Sequence, residues 1–75
     1  MLSEVDLKIL WVSRTLTNID FEYAEELLKL ERSQLHKDLK ASVRDVIISK
    51  YRERRQPYAD LLKDLRQQHR QSLAA

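Results

Sequence analysis

The stretch that decides the fold runs from Asp20 to Arg55, DFEYAEELLKLERSQLHKDLKASVRDVIISKYRERR, and it contains neither glycine nor proline. Acidic residues open it (Asp20, Glu22, Glu25, Glu26) and basic residues close it (Lys50, Arg52, Arg54, Arg55). That order complements the dipole of a helix at both ends. Pro57 follows and predicts a stop, because a proline pushes the residue before it out of the α region. Read as one helix of 36 residues, the element is roughly 54 Å long. Its apolar stripe is narrow: Phe21, Ala24, Leu28, Leu35, Leu39, Val43, Val46 and Ile47, thinnest between Glu31 and Ser42. A rod of that length outruns the core of one small chain and reads as helix pairing between chains.

On the N-terminal side, Ser3 and Asp6 have the spacing of a capping box, with Asp in place of Glu. Leu2, Val5, Ile9, Val12, Leu16 and Ile19 then follow at alternating steps of three and four, which is a heptad seam. Leu7, Leu10 and Trp11 add apolar surface outside that seam, so this helix needs cover on more than one side. Thr17, Asn18 and Asp20 are good N-cap residues and predict a tight turn, with Ile19 and Ala24 as a staple across the start of the next helix. On the C-terminal side, Pro57 fits the first position of a further helix. Tyr58, Leu61, Leu62, Leu65, His69 and Leu73 line one face of it, suited to folding back on Val46, Ile47 and Tyr51. The expected fold is all-α: a short helix 1, a long central helix 2 over about 20–55 and a short helix 3 after Pro57. Residues 1–75 form a single domain that pairs as a helical-bundle or coiled-coil dimer.

Seventy-five residues without cysteine give a marginal core, no disulfide framework and no thiolate metal site. Oligomerisation is the remaining common source of stability. No apolar run has the length of a membrane span, and no signal-peptide pattern is present, so the expectation is a cytoplasmic protein with no membrane partner. The net charge of +2 conceals an asymmetry. Residues 1–31 carry three basic and seven acidic groups, a balance of −4, and residues 32–75 carry eleven basic and five acidic, a balance of +6. Head-to-tail attraction between chains, a nucleic-acid footprint and plain solvation of helix faces all accommodate this pattern.

The inventory for catalysis is poor. Without glycine there is no phosphate-cradling loop, and without cysteine the separated His36 and His69 make neither a nucleophilic dyad nor a zinc site. The expectation is therefore no catalytic residue, no metal, no cofactor and no enzyme. The run from Lys50 to Arg55 is the candidate nucleic-acid patch. On a helix Arg52 and Arg55 share one face and Lys50 and Arg54 another, while Arg66 and Arg70 extend it. Compensation of the helix dipole accounts for several of the same cations.

Ser3–Glu4, Leu7–Lys8–Ile9–Leu10 and Arg14–Thr15–Leu16 resemble the opening of the histone-like nucleoid-structuring (H-NS) proteins, SEALKIL followed by IRTL. Glu22, Glu25–Glu26, Leu28 and Leu30–Glu31 are similar to the family's LETLEEMLEKLE segment, and Tyr51–Arg52–Glu53 with Leu61–Leu62 to its YRE…ELL stretch. The resemblance implies two self-association surfaces in a nucleoid-associated transcriptional silencer, or in a modulator of one. At the first it carries contacts over to Leu7, Leu10, Leu16, Leu27, Leu28 and Leu30; at the second, to Tyr51, Leu61, Leu62 and Leu65. Joined to the seam reading, this gives an expected dimer interface of Val5, Leu7, Ile9, Leu10, Trp11, Val12, Leu16, Ile19, Leu27 and Leu28. The expected second, head-to-tail site is Val46, Ile47, Tyr51, Leu61, Leu62 and Leu65. The implied partners are a second copy and a full-length paralogue. Family arginines that bind small helical co-regulators match at Arg14 and depart at Thr17. One residue is inserted after Glu4, the turn before helix 2 is shorter, and the family's DNA-binding Gln-Gly-Arg loop has no counterpart, so the chain reads as an oligomerisation region or a tail-less relative. The alternative is a small antiparallel helical dimer that binds double-stranded RNA or DNA backbone without sequence specificity. The nodaviral suppressors of RNA silencing, with their proline-started third helix, are built that way.

Overall fold

Two long helices, α1 over Glu4–Arg32 and α2 over Lys37–Ala74, account for nearly all of the computed structural model, which describes residues 2–74. The chain is all-helical, and the two helices pack against each other with no strand among the described residues. The paired side chains Asp6–His69, Asp20–Arg55, Glu22–Arg54 and Glu31–Arg44 have residue numbers that add to 75 or 76. A constant sum along the rod is the mark of an antiparallel hairpin in one register. The molecule measures 58 × 19 × 13 Å, matching the ~57 Å that 38 residues of α-helix span at 1.5 Å each.

The capping box at the start of α1 is present. The Ser3 hydroxyl accepts from the Asp6 N–H at 3.1 Å, and the Asp6 carboxylate accepts from the Ser3 N–H at 3.0 Å. The backbone bond at Ser3 is the larger cause, and the Ser3 hydroxyl the next, that holds the Asp6 carboxyl below its ordinary range.

The turn expected at Thr17–Asp20 does not occur; α1 runs straight through it. Neither glycine nor proline is there to stop a helix, and the expected cap groups have other partners. The Thr17 hydroxyl donates back to the Ser13 carbonyl at 3.0 Å, as Thr15 does to Trp11, a use of threonine that keeps it inside a helix. The Asp20 carboxylate reaches across to α2. The real break is Ser33–His36, inside the predicted long helix and within the segment where its apolar seam is thinnest. Ser33 terminates α1 by donating both its N–H (3.1 Å) and its hydroxyl (2.7 Å) to the Leu30 carbonyl. Lys40 Nζ crosses the turn to the free Glu31 carbonyl at 3.1 Å. His36 starts α2: its carbonyl accepts from the Lys40 N–H at 2.9 Å and its Nδ1 from the Asp38 N–H at 3.3 Å. Histidine is not among the residues a search for helix caps favours.

The expected third helix is the continuation of α2 through Pro57. The proline lies on the exposed side, so the Glu53 carbonyl that it deprives of a donor can be hydrated. Packing of Tyr58, Leu62 and Leu65 against Val5, Ile9, Val12 and Leu16 of α1 holds the helical path on the far side of Pro57.

The interior is one seam. Val12, Leu16, Ile19, Leu30 and Leu65 are buried, against eleven large apolar side chains that stay exposed among the described residues. Two helices can hide only one stripe each, and this chain has more apolar surface than that.

A proline inside a helix costs about 3 kcal/mol relative to alanine. Pro57→Ala is therefore expected to raise the stability of the hairpin by about 1–3 kcal/mol in a urea titration followed by circular dichroism. A neutral or destabilising result would mean that the helix breaks at this point.

Candidate interaction surfaces

Across the seam, the charge asymmetry of the sequence becomes a set of bridges between the two helices. The acidic second half of α1 lies beside the basic first half of α2. Glu31 pairs with Arg44, Glu22 with Arg54, and Asp20 with Arg55 at 3.3 Å. Asp20 also accepts the Tyr51 hydroxyl at 2.6 Å, and Tyr51 stacks on Tyr23 with ring centroids 4.0 Å apart and planes at 22°. The hydrogen bond to Asp20 is the main reason the Tyr51 hydroxyl titrates above its ordinary range, with burial and the carboxylate charge adding to it. Near the open end, His69 Nε2 lies 3.0 Å from Asp6, an ion pair whenever the imidazole is protonated.

The residues of the expected dimer interface divide between two faces of α1. Val12, Leu16 and Ile19 are buried and Val5, Ile9 and Leu27 half-buried; α2 supplies the cover at Val5, Ile9, Val12 and Leu16. Leu7, Leu10, Trp11 and Leu28 remain exposed. With Arg14, Thr17, Phe21 and Ala24, the leucines form a second row, Leu7–Leu10–Arg14–Thr17–Phe21–Ala24–Leu28, in unbroken steps of three and four. Every member of this row is exposed, Phe21 at 66%. By helical phase it lies on the side of α1 turned away from α2. The signal for it is in the sequence, but it passes through Thr17, and a turn placed there cuts the row in two.

The residues of the expected second association site are largely engaged inside the hairpin. Leu65 is buried in the core, Leu62 packs against it, Ile47 is half-buried and Tyr51 is held by Asp20 and Tyr23. Val46 and Leu61 stay exposed. Leu61 borders a cleft with Lys8, Trp11, Val12, Leu65 and Gln68, where Trp11 meets Tyr58 edge-on at 6.4 Å.

The candidate nucleic-acid residues divide as well. Lys50 and Arg54 line a groove that also holds Glu22 and Glu26. Arg55, Arg66 and Arg70 line a different groove together with Lys63, which the sequence reading did not select, and with Leu16, Ala59 and Leu62. Arg52 falls in phase with this second group. Among the described residues no group of three or more His, Cys, Asp or Glu is arranged to hold a metal ion, and no helix is long and apolar enough to cross a membrane. No family model, no curated protein and no solved structure matches the chain.

Tyr51→Phe is expected to cost about 1 kcal/mol, the worth of one partly exposed hydrogen bond to a charged acceptor. Because the folded state raises the Tyr51 pKa, its contribution is complete below the unfolded value of about 10 and is lost as pH rises through the folded value. Urea midpoints between pH 8 and 11 are therefore expected to fall more steeply in the parent chain than in Tyr51→Phe. Parallel curves would remove the Tyr51–Asp20 bond from this account.

Proposed function

We propose that the chain is a non-enzymatic helical self-association module that dimerises through the outward row of α1, with a second copy as its partner. The observation that carries this is the second heptad row, apolar at Leu7, Leu10, Phe21, Ala24 and Leu28 and exposed along its whole length. Two heptad rows on one helix suit a four-helix bundle, in which α1 packs on α2 along one and on a neighbouring hairpin along the other. The row also has a centre. Pairing α1 with an antiparallel copy about Thr17 sets Leu7 beside Leu28, Leu10 beside Ala24 and Arg14 beside Phe21, a self-complementary arrangement suited to two-fold symmetry. In that register Glu25 flanks the partner's position 14, so the charge in the row meets an opposite charge.

This reading agrees with the resemblance to nucleoid-structuring proteins at the first of their two surfaces, through Leu7, Leu10 and Leu28. It departs at the second, whose residues are used within the hairpin. A chain with one free seam ends an assembly rather than extending it. We therefore place it as a modulator that occupies the dimerisation surface of a silencer, its paralogue, in the nucleoid-associated fraction of the cytoplasm.

Light scattering over a wide concentration range is expected to show a plateau at twice the 9.0 kDa chain mass. Leu10→Ser with Phe21→Ser is expected to weaken the dimer at least tenfold with helicity retained, whereas Leu16→Ala, in the core, lowers stability by about 2–5 kcal/mol. Arg14→Glu should loosen the dimer, and adding Glu25→Arg should restore it if the pairing is antiparallel. Mass that climbs without a plateau would overturn the single-interface account in favour of a head-to-tail surface around Val46 and Leu61.

A further inference from the structure

Turning the hairpin about its long axis shows a face that the self-association reading does not use. Five cations of α2 fall in one helical row, Arg52, Arg55, Lys63, Arg66 and Arg70, at steps of three, eight, three and four, with Ala59 filling the turn between. All five therefore lie on one side of the helix. Four of them line a single groove floored by Leu16, Ala59 and Leu62. Arg55 is held by Asp20 at 3.3 Å. Among the described residues no carboxylate lies within ion-pair distance of the other four, all of which are exposed. The carboxylates across the seam are used by Arg44, Arg54 and Arg55 and reach none of these four.

We infer that this groove binds the phosphate backbone of a double-stranded nucleic acid, without reading its sequence. From Arg52 to Arg70 the row extends roughly 27 Å along a regular helix. One turn of a duplex takes about 34 Å, so a straight row of this length spans most of a turn and meets the phosphates where the backbone crosses it. Contacts of this kind fix position and carry no sequence information. The groove lining contains no aromatic ring. Binding of single strands relies on such rings, and the exposed ones, Trp11 and Phe21, lie outside this lining. An interfacial membrane helix needs a large apolar face opposite its cations, whereas here the apolar side of the same segment, at Tyr58, Leu62 and Leu65, is packed against α1.

The inference differs from a reading of the Lys50–Arg55 run as one patch, because the hairpin puts Lys50 and Arg54 in another groove beside Glu22 and Glu26. It is also independent of the dimer, since the groove lies within one chain.

The test is fluorescence anisotropy of a labelled 25-base-pair duplex, as DNA and as RNA of the same sequence, between 50 and 200 mM salt. Lys63→Gln, Arg66→Gln and Arg70→Gln together are expected to weaken binding at least tenfold. They should also lower the slope of log affinity against log salt by about 2–3, since each phosphate contact contributes about 0.9. Lys29→Gln, Lys37→Gln and Lys50→Gln remove the same charge outside the groove and are expected to change affinity less than threefold. Circular dichroism melts and light scattering on both triple variants keep folding and dimerisation apart from binding. Equal losses in the two triple variants would reduce the effect to net charge and overturn the site. So would absence of binding to both duplexes at 50 mM salt, or tighter binding to polyglutamate than to either. Tighter binding of the RNA duplex than of the DNA would identify A-form geometry as the preferred backbone, and the reverse result B-form.

Discussion

Asp20 holds the two helices in register, and most of what the molecule presents to its surroundings follows from that register. Its carboxylate takes the Tyr51 hydroxyl and the Arg55 guanidinium together, and those two donors lie four residues apart on α2, one helical turn. Sliding the helices by one turn would carry one of the two donors out of reach of the half-buried carboxylate, and would separate Tyr23 from the ring it stacks on. The same slip would misplace Glu22 and Glu31 against Arg54 and Arg44. Exposed ion pairs are each worth little. Their value here is selective, because the bidentate use of Asp20 and the Tyr23–Tyr51 stack favour the observed register.

The register also decides which charges remain. A chain balanced at −4 and +6 between its ends looks built to attract a second chain, or a polyanion, along its whole length. Folding α1 against α2 brings the acidic stretch from Asp20 to Glu31 onto the basic stretch from Arg44 to Arg55 and compensates the two internally. Of the cations left without an ion pair among the described residues, Lys63, Arg66 and Arg70 share one groove opposite the N-terminal half of α1. The α1 residues packed in this region are the apolar Val5, Ile9, Val12 and Leu16, and the nearby Asp6 carboxylate is directed to His69. The distribution of charge is thus first a device for pairing the helices and only in its remainder a surface for partners.

The sequence made the all-helical class, the capping box at Ser3 and the inner seam of α1 legible, because each depends on residues within a turn or two of one another. It misplaced the boundaries, because those depend on residues far apart. Thr17, Asn18 and Asp20 have the composition of an N-cap, but Asp20 gains more from Tyr51 and Arg55, thirty-one and thirty-five residues away. Pro57 is a strong stop in isolation, yet the burial of Leu65 against Val12 and Leu16 continues the helix past it. The actual turn at Ser33–His36 carries no glycine or proline; it is made by serine and histidine capping bonds and by Lys40 reaching back to Glu31. Its one local sign was the thinning of the apolar stripe after Glu31. Dividing the chain at the wrong place also hid the outward row of α1, because that row is continuous only if Thr17 and Phe21 belong to one helix.

That outward row gives the hairpin its dependence on something else. The inner seam leaves more large apolar side chains exposed than it buries, and a two-helix rod 13 Å thick has no further layer of its own to cover them. Part of this surface lies on α2, at Leu39, Val43, Val46 and Leu61; the part on the outer side of α1 repeats at seven residues, is interrupted by a single charge at Arg14, and is symmetric about Thr17. A repeat of that kind is matched by another helix with the same repeat, and the nearest source of one is a second copy of α1. The basic groove is formed between α1 and α2 at Leu16 and Leu62, whereas the row uses the side of α1 remote from α2. Pairing through the row therefore leaves the groove open, and a dimer would display two such grooves on one rigid body.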